Sequence, residues 1–176
     1  MANGRLIAMK KMGLLLLIAC AVCSAQNPAS GVISALAPSG ALVTLEPEHA
    51  QIAAHTKGFM AYSSKAYYVV HGSRSPVRFQ SPAALTFVLP SSPVDPSTLF
   101  MLRRLTATKK SREVQILSLS ANPFGARITD ETDSANVPLS FTRTGASIRA
   151  TTGELKPGEY AMSTVGSYDF YCFGVD

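Results

Sequence analysis

From residue 66 to the end of the chain, short apolar runs alternate with segments rich in Gly, Pro and Ser. Within runs such as 84–89 the large apolar residues occupy every second position, which is the period of a half-buried β-strand. Many short strands at this spacing are typical of sandwiches and barrels. The sequence therefore predicts an all-β domain at residues 41–176, either a single β-sandwich or a partly closed β-barrel of about nine or ten short antiparallel strands.

The end of the chain predicts a hairpin that closes this domain. Pro157-Gly158 suits a type II turn, because Pro fixes φ near −65° and Gly accepts a positive φ. Gly166-Ser167 suits a two-residue hairpin loop, which would pair Tyr160 with Phe173 and Ala161 with Cys172. We expect one face of this hairpin to point into the main core; it carries Tyr160, Met162, Tyr171 and Phe173.

Tyr160 has two interpretations. Pro-Gly followed closely by Tyr resembles the turn that enters a late strand in many extracellular β-sandwiches, where the tyrosine hydroxyl bonds to nearby backbone in a tyrosine corner. The alternative, an ordinary hairpin with a core tyrosine, needs no special geometry, and we favour it.

The N-terminal residues have the organisation of a secretory signal peptide. Arg5, Lys10 and Lys11 precede the apolar run 13–22, and small residues follow it up to Ala25. Cleavage after Ala25 would release a chain that begins at Gln26. The alternative is lipidation of Cys20, because residues 17–20 resemble the lipobox of bacterial lipoproteins; we favour cleavage at Ala25. Residues 26–40, rich in Ala, Ser, Pro and Gly, predict a flexible linker.

Removal of the predicted signal changes the charge of the chain. The full sequence carries a net charge of +5. The thirteen basic and eleven acidic residues that remain after position 25 give only +2. A nearly neutral domain does not have the electrostatic character of a nucleic-acid-binding protein.

Cysteine usage excludes an internal disulfide framework in the mature chain. Cys172 alone remains after residue 25, so the core must hold the domain together. We interpret Cys172 as a small buried apolar residue on the last strand rather than as a reactive thiol.

Two local patterns make further predictions about secondary structure. Residues 46–55 suggest one or two turns of helix with Pro47 at the start. Such a helix would place Glu48 and His55 on one face, which is a weak signal for zinc because a site needs at least three protein ligands.

Val114 and Ile116 lie on one face of a strand, whereas Leu117 and Leu119 lie on the other. Either both faces are covered there, or a β-bulge shifts the phase near Ile116.

A basic cluster lies at a predicted hairpin formed by residues 99–107 and 112–119. Such residues commonly keep a hairpin tip solvated; the alternative is a surface that binds an acidic polymer or lipid headgroups. The residues are Arg103, Arg104, Lys109, Lys110 and Arg112.

The chain lacks the familiar catalytic and metal-binding motifs. HExxH, GxSxG, the P-loop and, after residue 25, CxxC are all absent from the sequence. Asp130, Glu131 and Asp133 form an acidic segment without the glycine and spacing of an EF-hand. We therefore predict no catalytic residue, metal ligand or cofactor.

Several features together resemble a loose group of uncharacterised bacterial exported all-β proteins. The matching segments are Ser75-Pro76-Val77-Arg78, the basic hairpin at 105–114, the turn at 155–160 and Phe170-Tyr171-Cys172-Phe173-Gly174. The resemblance implies an exported β-domain and no known activity.

These observations lead to a prediction of a non-catalytic binding or structural module in the periplasm or at the cell envelope. Its partner would be an envelope protein or a glycan, with a membrane tether if Cys20 is lipidated. The alternatives are a small-molecule or carbohydrate-binding domain that uses Tyr62, Tyr67 or Tyr168, and an enzyme of unrecognised type.

Overall fold

The computed structural model describes residues 32–37, 40–58 and 62–176. They form fifteen short strands and one short helix, α1 (Pro96–Leu99). The strands are β1 (Ile33–Leu36), β2 (Leu42–Leu45), β3 (Pro47–His49), β4 (Gln51–Lys57), β5 (Tyr62–His71), β6 (Arg78–Phe79), β7 (Ala83–Leu89), β8 (Phe100–Ala107), β9 (Ser111–Asn122), β10 (Gly125–Asp130), β11 (Asn136–Val137), β12 (Leu139–Thr144), β13 (Ser147–Leu155), β14 (Gly158–Thr164) and β15 (Asp169–Val175).

The strands form two sheets, so the fold is all-β as predicted. The smaller sheet has the order β12-β13-β7-β1-β2. The larger has the order β3-β15-β14-β8-β9-β5-β4, with β10, β11 and β6 added to β9, β8 and β15. All neighbours are antiparallel apart from β6 and β15, which run parallel.

The larger sheet curls into a half-barrel. Strands β3 and β4 are separated in the chain only by Ala50, yet they lie at opposite ends of the strand order. The continuous segment 47–57 therefore brings the two ends of the sheet together.

The curl creates two cores. The main core lies between the two sheets and contains Phe87, Leu102, Tyr160, Met162 and Phe173, among others. The second core lies inside the half-barrel, where it contains Val70, Val114, Ala161, Phe170 and Cys172. Both faces of the closing hairpin are therefore covered.

The register of the closing hairpin is confirmed. Tyr160 pairs with Phe173, Ala161 with Cys172 and Met162 with Tyr171. The tip differs from the prediction, because the Ser167 N–H donates to the carbonyl of Thr164 at 3.1 Å. The tight turn therefore spans 164–167, with Gly166 at φ +78°.

Tyr160 forms the hydrogen bond of the interpretation that we did not favour. Its hydroxyl donates to the carbonyl of Lys156 at 2.7 Å, while its ring packs parallel to Phe173 with 5.6 Å between centroids. This hydrogen bond links β14 to the turn that precedes it.

Of the two alternatives for the strand around Ile116, the structure shows the β-bulge. On β5, Ala66 pairs with Leu117 and Tyr67 pairs with Gln115, so Ile116 is the extra residue of β9. The basic hairpin also forms, with Thr106 opposite Glu113. Strand β12, which follows Pro138, lies at the edge of its sheet, where a missing N–H costs no ladder hydrogen bond.

The predicted helix at 46–55 is wrong, since this segment forms β3 and β4. Pro47 is tolerated because β3 is an edge strand that pairs with β15. Strand β4 pairs with the next strand, β5, along its whole length, and this cross-strand pairing overrides the helical propensity of Gln51 and the alanines.

The predicted linker at 26–40 overlaps an ordered strand. Strand β1 pairs with β2 and β7 in the smaller sheet, and Ile33 and Ala35 are buried in the main core. The small side chains of β1 resemble the composition of a linker, but they also suit a strand position opposite Phe87. The predicted signal peptide, the Ala25 cleavage site and Cys20 lie outside the described residues.

Candidate functional site

The five basic residues singled out in the sequence do not form one surface. Arg103 is only 5% exposed and Arg112 only 1%, so predicting both of them as surface residues is wrong. Their side chains point into the half-barrel, because the pleat of β8 and β9 alternates the inner and outer faces. Arg104, Lys109 and Lys110 are exposed, and Arg104 donates to the carbonyl of Pro157 at 3.0 Å.

Arg112 is held by hydrogen bonds at one end of the half-barrel. It binds both carboxylate oxygens of Glu48, at 3.1 and 2.6 Å. It also donates to the Ser75 hydroxyl at 2.6 Å and to the carbonyls of His71 and Gly72 at 2.7 and 2.9 Å. Every donor nitrogen of this guanidinium therefore has an acceptor.

The network continues to the last residue of the sequence. Ser75 donates to Glu159 through its N–H at 2.9 Å and its hydroxyl at 2.6 Å. Arg78 joins Glu159 at 2.7 Å and Asp176 at 2.7 Å, and its hydrogen bond to Asp176 lowers the pKa of that carboxyl. These groups are satisfied by one another, which is the arrangement of a structural network rather than of a vacant binding site.

Cys172 lies within the second core and is buried, as predicted. Burial raises the pKa of the thiol well above its ordinary value, and the nearby carboxylate of Glu48 raises it further. The thiol therefore stays protonated and unreactive at neutral pH.

Arg103 has a different environment from Arg112. Its Nε is buried and finds no hydrogen-bond partner in the described part of the chain. Its guanidinium carbon lies 5.8 Å from the centre of the Tyr68 ring. Burial lowers the pKa of Arg103, whereas the more distant charges of Asp133 and Asp130 oppose that shift.

Those two carboxylates are already engaged within their own loop. Asp133 accepts from the Asn136 amide at 2.6 Å. Asp130 accepts from the Thr132 N–H at 2.8 Å. Asp130 and Asp133 of the acidic segment singled out in the sequence thus cap turns near Arg103.

Aromatic rings connect Arg103 to the surface. Tyr68 packs edge-on against Phe170 and Tyr168, with centroids 5.4 and 5.8 Å apart. Tyr168 is 43% exposed and lies 6.0 Å from the ring of His49. The buried guanidinium therefore lies at the inner end of an aromatic cluster whose outer end is open to solvent.

A second candidate site lies on a four-stranded arm that extends from the half-barrel. We define the arm as β4, residues 62–67 of β5, residues 115–122 of β9, and β10. Exposed side chains occur on both of its faces. Residues that pair across strands share a face, and the pairings define its two faces.

One side of the arm, which we call the cationic face, is polar and basic. Its basic residues are accompanied by hydroxyl groups, and between Gln115 and the tip of the arm no Asp or Glu shares this face. It carries His55, Lys57, Lys65 and Arg127 together with Ser63, Tyr67, Ser118, Ser120 and Thr129.

A cavity of about 540 Å³ lies on the cationic face. The Tyr67 ring stands edge-on to His55 with centroids 5.5 Å apart, and its hydroxyl donates to Gln115 at 3.4 Å. The cavity is lined by His55, Lys57, Ser63, Lys65 and Tyr67.

The opposite side of the arm is more apolar, with Thr56, Ser64 and Asp130 as its polar members. Ile52, Leu117 and Ile128 are exposed there, with Ile128 at 68%. Tyr62 lies on this side too, away from the cavity. The Phe124 ring, at the tip of the β9–β10 hairpin, is 99% exposed.

The predicted pairing of Glu48 with His55 does not occur. Glu48 binds Arg112 inside the half-barrel, whereas His55 lies on the cationic face. No group of three or more potential metal ligands lies together among residues 32–37, 40–58 and 62–176. Nor does any helix in those ranges have the length and apolarity needed to cross a bilayer.

Comparisons with known proteins give no family assignment. The chain matches no protein-family model and no curated protein.

Sequence reasoning missed the cationic face because it assigned β4 to a helix. The signal was nevertheless present: His55 and Lys57 are two residues apart, as are Lys65 and Tyr67. In strands this spacing places each pair on one side. Only the pairing of β4 with β5 brings the two pairs together.

Proposed function

We propose that the chain is an exported, non-catalytic binding module of the periplasm or cell envelope, and that its cationic face binds an anionic polysaccharide. The cavity between β4 and β5 carries this proposal, because it combines two lysines, a histidine, a hydroxyl and an aromatic ring without a carboxylate. Its volume lies within the usual range for small-ligand sites.

The chemistry of the cationic face supports a sugar polymer that carries carboxylates. Lys57 and Lys65 supply mobile ammonium groups for negative charges, and Ser63 supplies a hydrogen-bonding partner for sugar hydroxyls. Tyr67 contacts His55 through its ring and Gln115 through its hydroxyl, and these contacts fix the orientation of the ring that a ligand would meet. Arg127 and Ser120, farther along this face, line a neighbouring depression of about 280 Å³, so a ligand longer than one sugar finds further contacts.

An enzymatic function has less support. Within the described residues, the shifted pKa values belong to buried groups, ion pairs and turn caps. None of these groups lines the cavity on the cationic face. A binding function requires no such perturbed group.

Oligogalacturonate, a polymer of sugar carboxylates, provides the test, with neutral dextran as the comparison ligand. We expect oligogalacturonate to bind the purified protein, and to bind more weakly as salt is raised, because exposed charges are screened. Replacing both lysines, Lys57→Gln with Lys65→Gln, should weaken binding by about tenfold or more, equivalent to about 1.4 kcal/mol.

The matched control is Lys109→Gln with Lys110→Gln, which removes the same charge from the exposed hairpin of the half-barrel. We expect this variant to bind like the unaltered protein. Absence of binding would refute the proposal. An equal loss in both double variants would assign the binding to net charge rather than to the cationic face.

A further inference from the structure

The half-barrel encloses two buried arginines that differ in their hydrogen-bond and ion-pair partners. Arg112 has an acceptor for every donor nitrogen, including a carboxylate. Arg103 is almost as deeply buried, but no carboxylate of the described residues lies within ion-pair distance of it. Its Nε is a buried donor without an acceptor.

Such an arginine is costly in a folded protein. Buried charges in native structures are normally paired, because the interior does not replace the hydration that they lose. The contact with Tyr68 compensates in part, but a ring face cannot accept all five guanidinium hydrogens. An external acceptor would complete the site.

The surroundings of Arg103 define the acceptor. The site offers one positive charge, and Asp130 and Asp133 add negative potential nearby. A doubly charged phosphate would leave uncompensated negative charge there, whereas a carboxylate would be balanced by one guanidinium. Tyr68 and Tyr168, which keep exposed ring surface, would contact the remainder of the ligand, which favours an apolar or aromatic body.

We propose that Arg103 binds the carboxylate of a small apolar or aromatic monocarboxylic acid beside the aromatic cluster of Tyr68 and Tyr168. The ligand enters beside Tyr168, the exposed member of the aromatic cluster. Its carboxylate accepts hydrogen bonds from the guanidinium, and its body packs against Tyr68. This site is separate from the cationic face and does not depend on the proposed function.

Thermal unfolding in the presence of benzoate tests this proposal. Benzamide has the same shape without the charge, and inorganic phosphate at equal ionic strength has charge without the apolar body. At a benzoate concentration of about one hundred times Kd, we expect Tm to rise by about 5–10 °C. Benzamide and phosphate should have much smaller effects.

Two variants locate the effect. Arg103→Met should abolish the rise in Tm, whereas the double variant Lys57→Gln with Lys65→Gln should retain it, because the cationic face is not involved. If Arg103→Met does not fold, the benzoate affinity of Arg103→Lys provides the test. Lysine keeps the charge but loses the planar fork, so benzoate affinity should fall by about tenfold.

Four results would overturn the proposal: no response of the unaltered protein to benzoate, an equal response to benzamide, an equal response to phosphate, or an undiminished response in the Arg103 variant that folds. The second would indicate a purely apolar site, and the third a general effect of anions.

Discussion

Replacing each of the two buried arginines by methionine should have different effects on stability, with no ligand added: a large loss for Arg112 and no loss for Arg103. Arg112→Met removes a guanidinium that contacts Glu48, Ser75 and two backbone carbonyls. Arg103→Met removes one without a carboxylate partner among the described residues. Methionine fills much of the same volume in both cases, so the difference between the variants reports the polar contacts.

The magnitude for Arg112→Met follows from the groups left behind. Removing one partner of a buried ion pair typically costs about 3–5 kcal/mol. The Glu48 side chain is 29% exposed and can recover part of its hydration, which lowers the cost. The carbonyls of His71 and Gly72 lose a hydrogen-bond donor, but both residues are exposed, so water can replace the guanidinium there and this loss adds little. We expect a loss of about 4 kcal/mol in the free energy of unfolding.

For Arg103→Met the balance reverses. The variant loses the contact with Tyr68, which contributes about 1 kcal/mol. It also removes the cost of burying an unpaired charge, which is larger. We expect stability to stay unchanged or to rise by up to about 2 kcal/mol.

Urea unfolding of the two variants and the unaltered protein gives the comparison, provided that the slope m stays the same. A loss for Arg103→Met as large as that for Arg112→Met would refute the reasoning, since it would mean that Arg103 has a partner of equal strength. A harmless Arg112→Met would show that the network with Glu48 and Ser75 contributes nothing to stability.

Three further predictions concern the closing hairpin and the N-terminus. Phe173→Ala should lower the free energy of unfolding by about 3–5 kcal/mol, because the ring is fully buried among Phe79, Phe87 and Tyr160; a harmless substitution in a urea titration would contradict this packing. Native Cys172 should react slowly with thiol reagents. Folding raises the pKa of this thiol, so its contribution to the free energy of unfolding should be complete at neutral pH. The contribution should fall as pH rises above about 8.5, where the thiol of the unfolded chain ionises. Rapid labelling of the native protein, or higher stability at alkaline pH, would contradict this prediction. Intact mass of the exported protein should correspond to a chain that begins at Gln26, whereas a diacylglyceryl-modified chain beginning at Cys20 would show lipidation instead.

Local chemistry was sufficient to predict the closing hairpin. Its register follows from alternation over a few adjacent residues and from turn residues with restricted φ, and the pairing of Tyr160 with Phe173 is confirmed. The sequence also gave enough information to place Cys172 on the opposite face. The hydrogen bond from Tyr160 to Lys156 was the less favoured alternative, because a hydroxyl has no preferred partner until the chain turns back on itself.

Pairing between strands limits what the sequence alone can predict. Gln51, Ala53 and Ala54 have helical propensity, and only the complete pairing of β4 with β5 overrides it. The two inner arginines show the same limitation. Arg103 and Arg112 look like neighbours of the exposed Lys109 and Lys110 until the larger sheet curls around them.

The bulge at Ile116 connects the half-barrel to the arm. Val114 faces the interior of the half-barrel, and strict alternation along β9 would place Ile116 and Ser118 on that same side and Leu117 and Leu119 on the other. The extra residue shifts the phase by one position. Leu117 and Leu119 therefore continue the inner surface beyond the second core, while Ser118 and Ser120 join Lys65 and Ser63 on the cationic face. One additional residue thus allows the same strand to line an apolar core at one end and to separate a polar binding face from an apolar one at the other.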